Sequence, residues 1–177
     1  MILAKIGFAA VALSLMAGCS SPGPAPAPKK TPVPVKTLRA FSPTITVNSA
    51  DGKKSFIVRL KDTDIHLKES GEPDYGKFTS AKGEILEGKV IVCRFEGDSG
   101  HLDRDNRTLD LSGNVKIKSE SDGVEINALN VQYFQDKNMI EATGNVTVVS
   151  ESMTMGPFNK VLSTADLKKI ATPGKFR

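Results

Sequence analysis

From Thr44 to the carboxyl terminus the sequence alternates between apolar and polar residues, and this period of two constrains the fold more than any other feature. In one such stretch Leu109, Leu111, Val115 and Ile117 alternate with aspartate, serine, asparagine and lysine. Successive side chains of a β-strand point to opposite faces of the sheet, so a strand of this kind buries one face and exposes the other. The alternation therefore predicts an all-β, antiparallel fold.

Turn residues interrupt the alternation at intervals, as expected where antiparallel strands reverse. Asp51-Gly52, Gly97-Asp98 and Asp122-Gly123 are three such pairs. No helix is predicted before Ser163, and residues 163–170 are predicted to form a short terminal turn. The chain has 177 residues, which is enough for one domain and accessory segments. It has no tryptophan, so its core is expected to be mostly aliphatic.

An internal repeat lies within the alternating region. Residues 109–121 match residues 140–152 at an offset of 31, with Gly113-Asn114-Val115 aligned to Gly144-Asn145-Val146. A weaker third copy surrounds Gly83. The repeated glycine stands where the alternation would place an inward side chain, so it is predicted to form a bend or a bulge in a strongly curved strand.

Stacked copies of such a unit would form a continuous pair of sheets around a shared apolar interior. The expected architecture is an antiparallel two-sheet β-jellyroll or an open, elongated β-taco. Either form leaves an exposed edge strand at both ends. Edges of this kind are available for pairing with another chain.

The amino terminus has the features of a lipoprotein signal peptide over residues 1–18. Lys5 supplies a positive charge, the apolar run Ile6–Leu15 follows, and Met16-Ala17-Gly18-Cys19 resembles a lipobox. Cys19 is therefore predicted to be lipidated and to anchor the chain in a membrane. An uncleaved membrane-spanning helix is the alternative, but it needs about 20 apolar residues. Cleavage that releases a free protein is a third possibility.

Residues 19–43 are rich in proline and are predicted to be a spacer behind the lipidated cysteine. Pro22, Pro24, Pro26 and Pro28 alternate with small residues. Alternating proline favours an extended polyproline II conformation. A ligand for a proline-binding domain is the alternative interpretation of this segment. The β domain is expected to occupy residues 44–177.

The repeats resemble the lipopolysaccharide export family, whose OstA-like fold is shared by the LptC and LptA components. Three segments carry the resemblance: the run Gly97–Val115, the step Gly123–Ala128 with Val131-x-Tyr133 after it, and the second Gly144-Asn145-Val146. A single domain behind a membrane anchor is more similar to LptC than to LptA. The chain departs from LptC in having a lipobox instead of a transmembrane helix.

The resemblance implies that the sheets hold the acyl chains of lipid A and pass lipopolysaccharide along an apolar trough. The implied partners are an inner-membrane ATP-binding-cassette (ABC) transporter, an LptA-like periplasmic bridge that pairs with an edge strand, and the membrane that holds the anchor. Ordinary core packing is the alternative role for each residue of the predicted lining, which comprises Val115, Ile117, Val124, Ile126, Val131, Tyr133, Ile140, Val146 and Val148.

Several other functions are disfavoured by the composition. The formal charge is +4, and no long basic run interleaved with aromatic residues indicates binding to nucleic acid. No metal-ligand spacing, cofactor motif or paired catalytic constellation stands out, so neither a cofactor nor an enzymatic activity is predicted. Cys93 is interpreted as a buried apolar residue.

The sequence leaves alternatives for the membrane that holds the anchor and for the function. The chain is expected to face the periplasm from the inner membrane, although Ser20 after the lipidated cysteine is typical of sorting to the outer membrane. A structural β lipoprotein that uses its edges only for protein contacts is the alternative function. An LptA-like bridge is another.

Five basic residues are candidate phosphate contacts or parts of a solvated face: Lys89, Arg104, Arg107, Lys116 and Lys118.

Overall fold

The computed structural model describes residues 37–67 and 73–175. The predicted signal peptide, Cys19 and most of the proline-rich segment lie outside the described residues. The described part of the chain contains ten strands. They are β1 Thr37–Phe41, β2 Thr44–Asn48, β3 Lys54–Leu67, β4 Pro73–Glu87, β5 Val90–Asp103, β6 Thr108–Ser119, β7 Glu125–Phe134, β8 Met139–Val149, β9 Thr154–Thr164 and β10 Ile170–Ala171.

All ten strands belong to one antiparallel sheet that does not close on itself. From β3 to β10 each strand pairs with the next one along the chain. At the amino-terminal edge, β2 pairs with the first half of β3 and β1 pairs with its second half. The other edge is formed by β9 and the short β10. The all-β, open-sheet prediction is confirmed.

A line of bends crosses the sheet at the repeated Gly-Asn motifs. The registers of β6 with β7 and of β8 with β9 both shift at these motifs. Gly113 and Gly144 have φ angles of +76° and +78°, and the asparagines that follow have +45° and +50°. Glycine adopts positive φ without a steric penalty, whereas most other residues do not. The bulge predicted from the repeat is therefore confirmed in both copies.

The bends divide the sheet into two leaves that face each other. Leaf 1 contains β2 and the strand halves that meet at the β2–β3, β4–β5, β6–β7 and β8–β9 turns. Leaf 2 contains β1 and the halves that meet at the β5–β6, β7–β8 and β9–β10 turns. The rings of Phe56 in leaf 1 and Tyr133 in leaf 2 lie 5.7 Å apart. In a flat sheet their strands, β3 and β7, would be about 19 Å apart at the usual spacing.

The interior between the leaves is lined by the apolar residues of the alternation. Two phenylalanine rings reach across to glycines on the paired strand, where no side chain competes for the space. A Cβ added to Gly83 would lie 2.3 Å from Cζ of Phe95, and one added to Gly100 would lie 2.6 Å from Cζ of Phe78. Both glycines are therefore required for the rings to fill the interior.

The structure differs from the sequence-based expectation at both ends of the domain. The sheet begins before residue 44, because β1 (Thr37–Phe41) forms from residues assigned to the spacer. The turn expected over residues 163–170 is the hairpin turn between β9 and β10, in which Thr164 N–H donates to the carbonyl of Lys169. The expected pair of sheets consists of two leaves of one sheet, because the long strands continue through the bend.

Candidate functional site

The residues predicted to line an apolar trough do lie together, between the two leaves. Ile126, Ile140 and Val146 are fully buried, with no exposed surface. Val124 is the exception, because it is only partly buried and packs against the outside of the cluster. The remaining members are also buried: Val115, Ile117, Val131, Tyr133 and Val148. The strand alternation is thus sufficient to assemble these side chains in one place.

These side chains are closely packed. Apart from Val124, their exposed fractions are at most 3 %. A closed cavity large enough for a water molecule would still expose the side chains around it, so such low values mean interior packing of ordinary density. An acyl chain has no empty channel to enter here. The site in this conformation is a filled apolar core between two leaves.

One polar side chain, Gln135, lies in this apolar interior and was not among the predicted site residues. It follows β7 and is fully buried. Its Nε2 donates hydrogen bonds to the carbonyls of Val47 (3.1 Å) and Lys54 (3.2 Å) on leaf 1. The alternation Val131-x-Tyr133-x-Gln135 could have revealed it, because the period of two places Gln135 on the inner face.

Burial keeps the ionisable groups of the interior neutral. Burial raises the pKa of the Cys93 thiol to about 12, with a smaller contribution from the nearby carboxylates. It likewise raises the pKa of the Tyr133 hydroxyl, with Glu87 as the next cause. A thiol in this state is a poor nucleophile, since the thiolate is the reactive form. Cys93 is buried, as its interpretation as an apolar residue requires.

The outer face of leaf 1 carries charges that largely pair with each other. Lys116 lies 3.5 Å from Glu125, and Arg94 lies 3.2 Å from Glu120. Of the candidate phosphate contacts, Arg107 in the β5–β6 turn of leaf 2 is held 2.9 Å from Asp136 in the β7–β8 turn of the same leaf. Exposed pairs of this kind contribute little to stability. The outer face is therefore a solvated surface in which several candidate cations already have partners.

Both edges of the open sheet expose large apolar side chains. On β1, Leu38 and Phe41 are 53 % and 72 % exposed. At the start of β9, Met153 and Met155 are 54 % and 44 % exposed. The outward backbone groups of an edge strand can pair with another strand. Among the described residues, no further strand pairs with the outer side of β1 or with the first half of β9 on its outer side. Each of these edges also has an apolar surface.

Other types of site are not found in the part of the chain that the structure describes. Within residues 37–67 and 73–175, no three His, Cys, Asp or Glu side chains are grouped as a metal ion would require. Over the same residues, no helix has the length and apolar character needed to cross a membrane.

The sequence was also compared with models of known protein families and with curated proteins. Neither comparison finds a match to this chain.

Proposed function

We propose that this protein is a membrane-anchored periplasmic component of lipopolysaccharide export. In this role the two leaves hold the acyl chains of lipid A, and the chain passes the lipid from an inner-membrane ABC transporter to an LptA-like bridge. Cys19 would carry the lipid anchor and the proline-rich segment would act as a spacer. The proposal takes its family from the resemblance of the repeats.

The observation that carries the proposal is the bent, open sheet with a continuous apolar interior. Acyl chains in water expose hydrophobic surface at a cost of about 25 cal/mol per Å². A two-leaved sheet that is open at both edges offers an apolar path with two ends, whereas a closed barrel does not. The interior residues from β2 to β9 form one cluster, so the apolar contacts are continuous from one edge of the sheet to the other.

The exposed edges support the proposed partners. A strand of the transporter or of the bridge that paired with β1 or β9 would extend the sheet and continue its interior. Phe41 and Met155 lie on these two edges and would be covered by such a partner. The packed interior requires one further condition, because the leaves must separate for acyl chains to replace the contacts between them.

Photo-crosslinking tests the lipid role directly. A photoreactive residue at Ile126 or Val146 faces the interior, and one at Lys116 on the same leaf faces outward as a matched control. In membranes that are actively exporting lipopolysaccharide, we expect lipid A adducts from the two inner positions and few from the outer one. Equal, background-level crosslinking from all three positions would contradict the proposal.

The packed interior favours a second candidate function. A structural β lipoprotein that binds proteins through its edges would need no lipid path, and a filled core suits it. Depletion of the protein separates the two functions. Loss of surface lipopolysaccharide supports export, whereas unchanged lipopolysaccharide and unchanged viability support the structural role.

Fractionation separates the two positions proposed for the protein in the envelope. An LptC-like role requires the anchor to be in the inner membrane, together with capture of the ABC transporter. An LptA-like bridge would bind other bridge domains and would not copurify with the transporter. Recovery of the lipidated protein in the outer membrane alone would contradict the LptC-like role.

A further inference from the structure

Opposite the line of bends the two leaves meet along a second line, where Gln135 contacts Val47 and Lys54, Asn138 contacts Glu87, and Ser119 contacts Asp166. We call this line the seam. Its hydrogen bonds differ in kind from those within the sheet. Among the described residues, the backbone hydrogen bonds between turns connect turns of the same leaf, as from Gln135 N–H to the carbonyl of Arg107 and from Gly88 N–H to that of Lys53. Across the seam the hydrogen bonds involve a side chain. The leaves can therefore separate without breaking the backbone pairing of the sheet.

Gln135 makes the deepest of these contacts. Its amide reaches from the end of β7 to two carbonyls of the β2–β3 hairpin, on Val47 and Lys54. Two less buried contacts lie further along the seam. Asn138 Nδ2 donates to Glu87 Oε1 at 3.1 Å, and Ser119 Oγ donates to the carbonyl of Asp166 at 3.3 Å.

The closed seam leaves polar atoms without partners. Gln135 Oε1 and the Tyr133 hydroxyl are buried and make no hydrogen bond in the described structure. A buried polar group without a partner is costly, and the cost disappears when the group is hydrated. Opening the seam would hydrate both atoms at once. The closed state thus gains the packing between the leaves but bears a penalty that the open state does not.

From these contacts we propose that the seam is a gate and that Gln135 is its latch. Acyl chains enter sideways between the leaves after the two Gln135 hydrogen bonds break, and they replace the apolar contacts that the leaves lose. This inference rests on the proposed lipid-carrying function, because it supplies the opening that a filled interior needs. Gln135 acts as a positioning residue that holds the leaves together.

The first test uses Cys93 as a reporter of opening. In the full chain with Cys19→Ser, Cys93 is the only thiol, and it is fully buried between the leaves. Gln135→Glu keeps the shape of the side chain but places a carboxylate against two carbonyls, where it cannot donate. We expect a soluble maleimide to label Cys93 at least about tenfold faster at pH 8 than in the parent chain.

A matched control lies five residues away, on β7. Asn130→Asp introduces the same charge on the outer face of β7, where Asn130 is exposed. It should leave the labelling rate within about twofold of the parent. Labelling is repeated at low urea, because a local opening depends weakly on urea and global unfolding depends strongly on it. Equal rates for both variants, or the urea dependence of global unfolding, would overturn the latch.

A second test locks the gate. Glu87→Cys with Asn138→Cys places one thiol on each side of the seam, where the side chains now share a hydrogen bond. A direct disulfide needs the two Cβ atoms to be about 4 Å apart, so a short bis-methanethiosulfonate reagent bridges the two thiols instead. The bridge should reduce lipid A crosslinking from Ile126 at least about fivefold, and reduction of its disulfides should restore it. Equal crosslinking in the locked and reduced proteins would overturn the gate and leave the lipid role standing. Absence of lipid A crosslinking in the wild-type chain would instead contradict the lipid role. The labelling of Cys93 would still decide whether the seam is a gate.

Discussion

The two Gly-Asn bends have the same backbone geometry but are covered by different side chains. In the first copy Asp98 lies over Gly113, and its carboxylate accepts a hydrogen bond from Nδ2 of Asn114 at 2.7 Å. In the second copy Leu129, 31 residues further on, lies over Gly144. One bend is therefore held by a polar contact and the other by an apolar one.

The difference separates what the backbone requires from what the surface allows. Both copies keep glycine and asparagine, the residue types that most readily adopt positive φ. The residue that covers the bend changes from a carboxylate to an aliphatic chain without changing the bend. The repeat is thus conserved within the chain where the sheet must turn, and it varies on the solvent side.

The largest expected effect comes from the interior, where the two copies should be equivalent. Leu109 and Ile140 are matched positions of the repeat and are 1 % and 0 % exposed. Truncation of either to alanine removes apolar contacts and leaves a cavity, so each should lower the free energy of unfolding by about 3 kcal/mol. Urea denaturation measures both. If one substitution lowered the free energy of unfolding twice as much as the other, the two copies would not contribute equally to the core.

The next effect tests the bends. Gly52 has a φ of +66° and open space around it, so Gly52→Ala measures the conformational cost alone. That cost should be about 1 kcal/mol. Gly113→Ala should cost more, because its Cβ would lie 2.9 Å from Oδ2 of Asp98. Gly144→Ala should cost about as much as Gly113→Ala, because the added Cβ would lie 3.0 Å from Cβ of Leu129 in one copy and 3.0 Å from Cβ of Asp98 in the other. Neither of these atoms can rotate away.

Similar costs for Gly113→Ala and Gly144→Ala, both above the cost of Gly52→Ala, are the result to check, again by urea denaturation. If Gly113→Ala and Gly144→Ala cost no more than Gly52→Ala, the covering side chains adjust freely. The difference between Asp98 and Leu129 would then have no effect on the stability of the bends.

A smaller effect comes from Asp98 and Leu129, the side chains that lie over the two bends. Asp98→Ala removes the hydrogen bond to Asn114 and should cost about 0.5–1 kcal/mol. Asp98→Leu gives the first copy the cover of the second, and we expect it to recover most of that loss through contact with Gly113. A leucine that destabilises as much as alanine would show that the first bend needs its polar contact. Thermal unfolding of the two variants and the parent makes the comparison.

Much of this fold could be predicted from the sequence because the physical signal was local. Alternation gave the strands, and Gly113 and Gly144 gave the bends, since a glycine within the alternation has few other uses. The inward position expected for the two glycines was wrong, because the bend turns them toward the exposed side chains of Asp98 and Leu129. The strand β1 was missed because it is an edge strand whose residues are mostly exposed, as Phe41 is. Such a strand has no buried face to leave a pattern in the sequence.

The interior residues were predicted as a set, but their close packing was not. The pattern identifies which side chains point inward, whereas the distance between two leaves depends on contacts such as that of Phe56 with Tyr133. Those residues are far apart in the chain. Gln135 was missed for a related reason: a glutamine beside a turn is usually solvated, and only its distant partners on leaf 1 account for its burial.

The smallest expected effect is a pH dependence confined to the first copy. In the β5–β6 turn the backbone N–H of Asn106 donates to Oδ1 of Asp103 at 2.9 Å, and its side chain donates to Oδ2 at 2.7 Å. These two bonds, the backbone one first, hold the pKa of Asp103 below its usual value. The matched residue of the second copy, 31 positions on, is Phe134, which does not titrate.

A carboxylate whose pKa is lower in the folded state stabilises the fold above its unfolded pKa, and this contribution is lost as the pH falls through the folded pKa. Acidification should therefore break the contact between Asn106 and Asp103, whereas Phe134 offers no such contact to the β7–β8 turn. Amide proton shifts measured by NMR between pH 6 and pH 2 report this, with the shift of Asn106 changing more than that of Lys137, its counterpart. Asp103→Asn should abolish the Asn106 titration. If that titration persists in the variant, another group causes it, and the two turns do not differ in the way their side chains indicate.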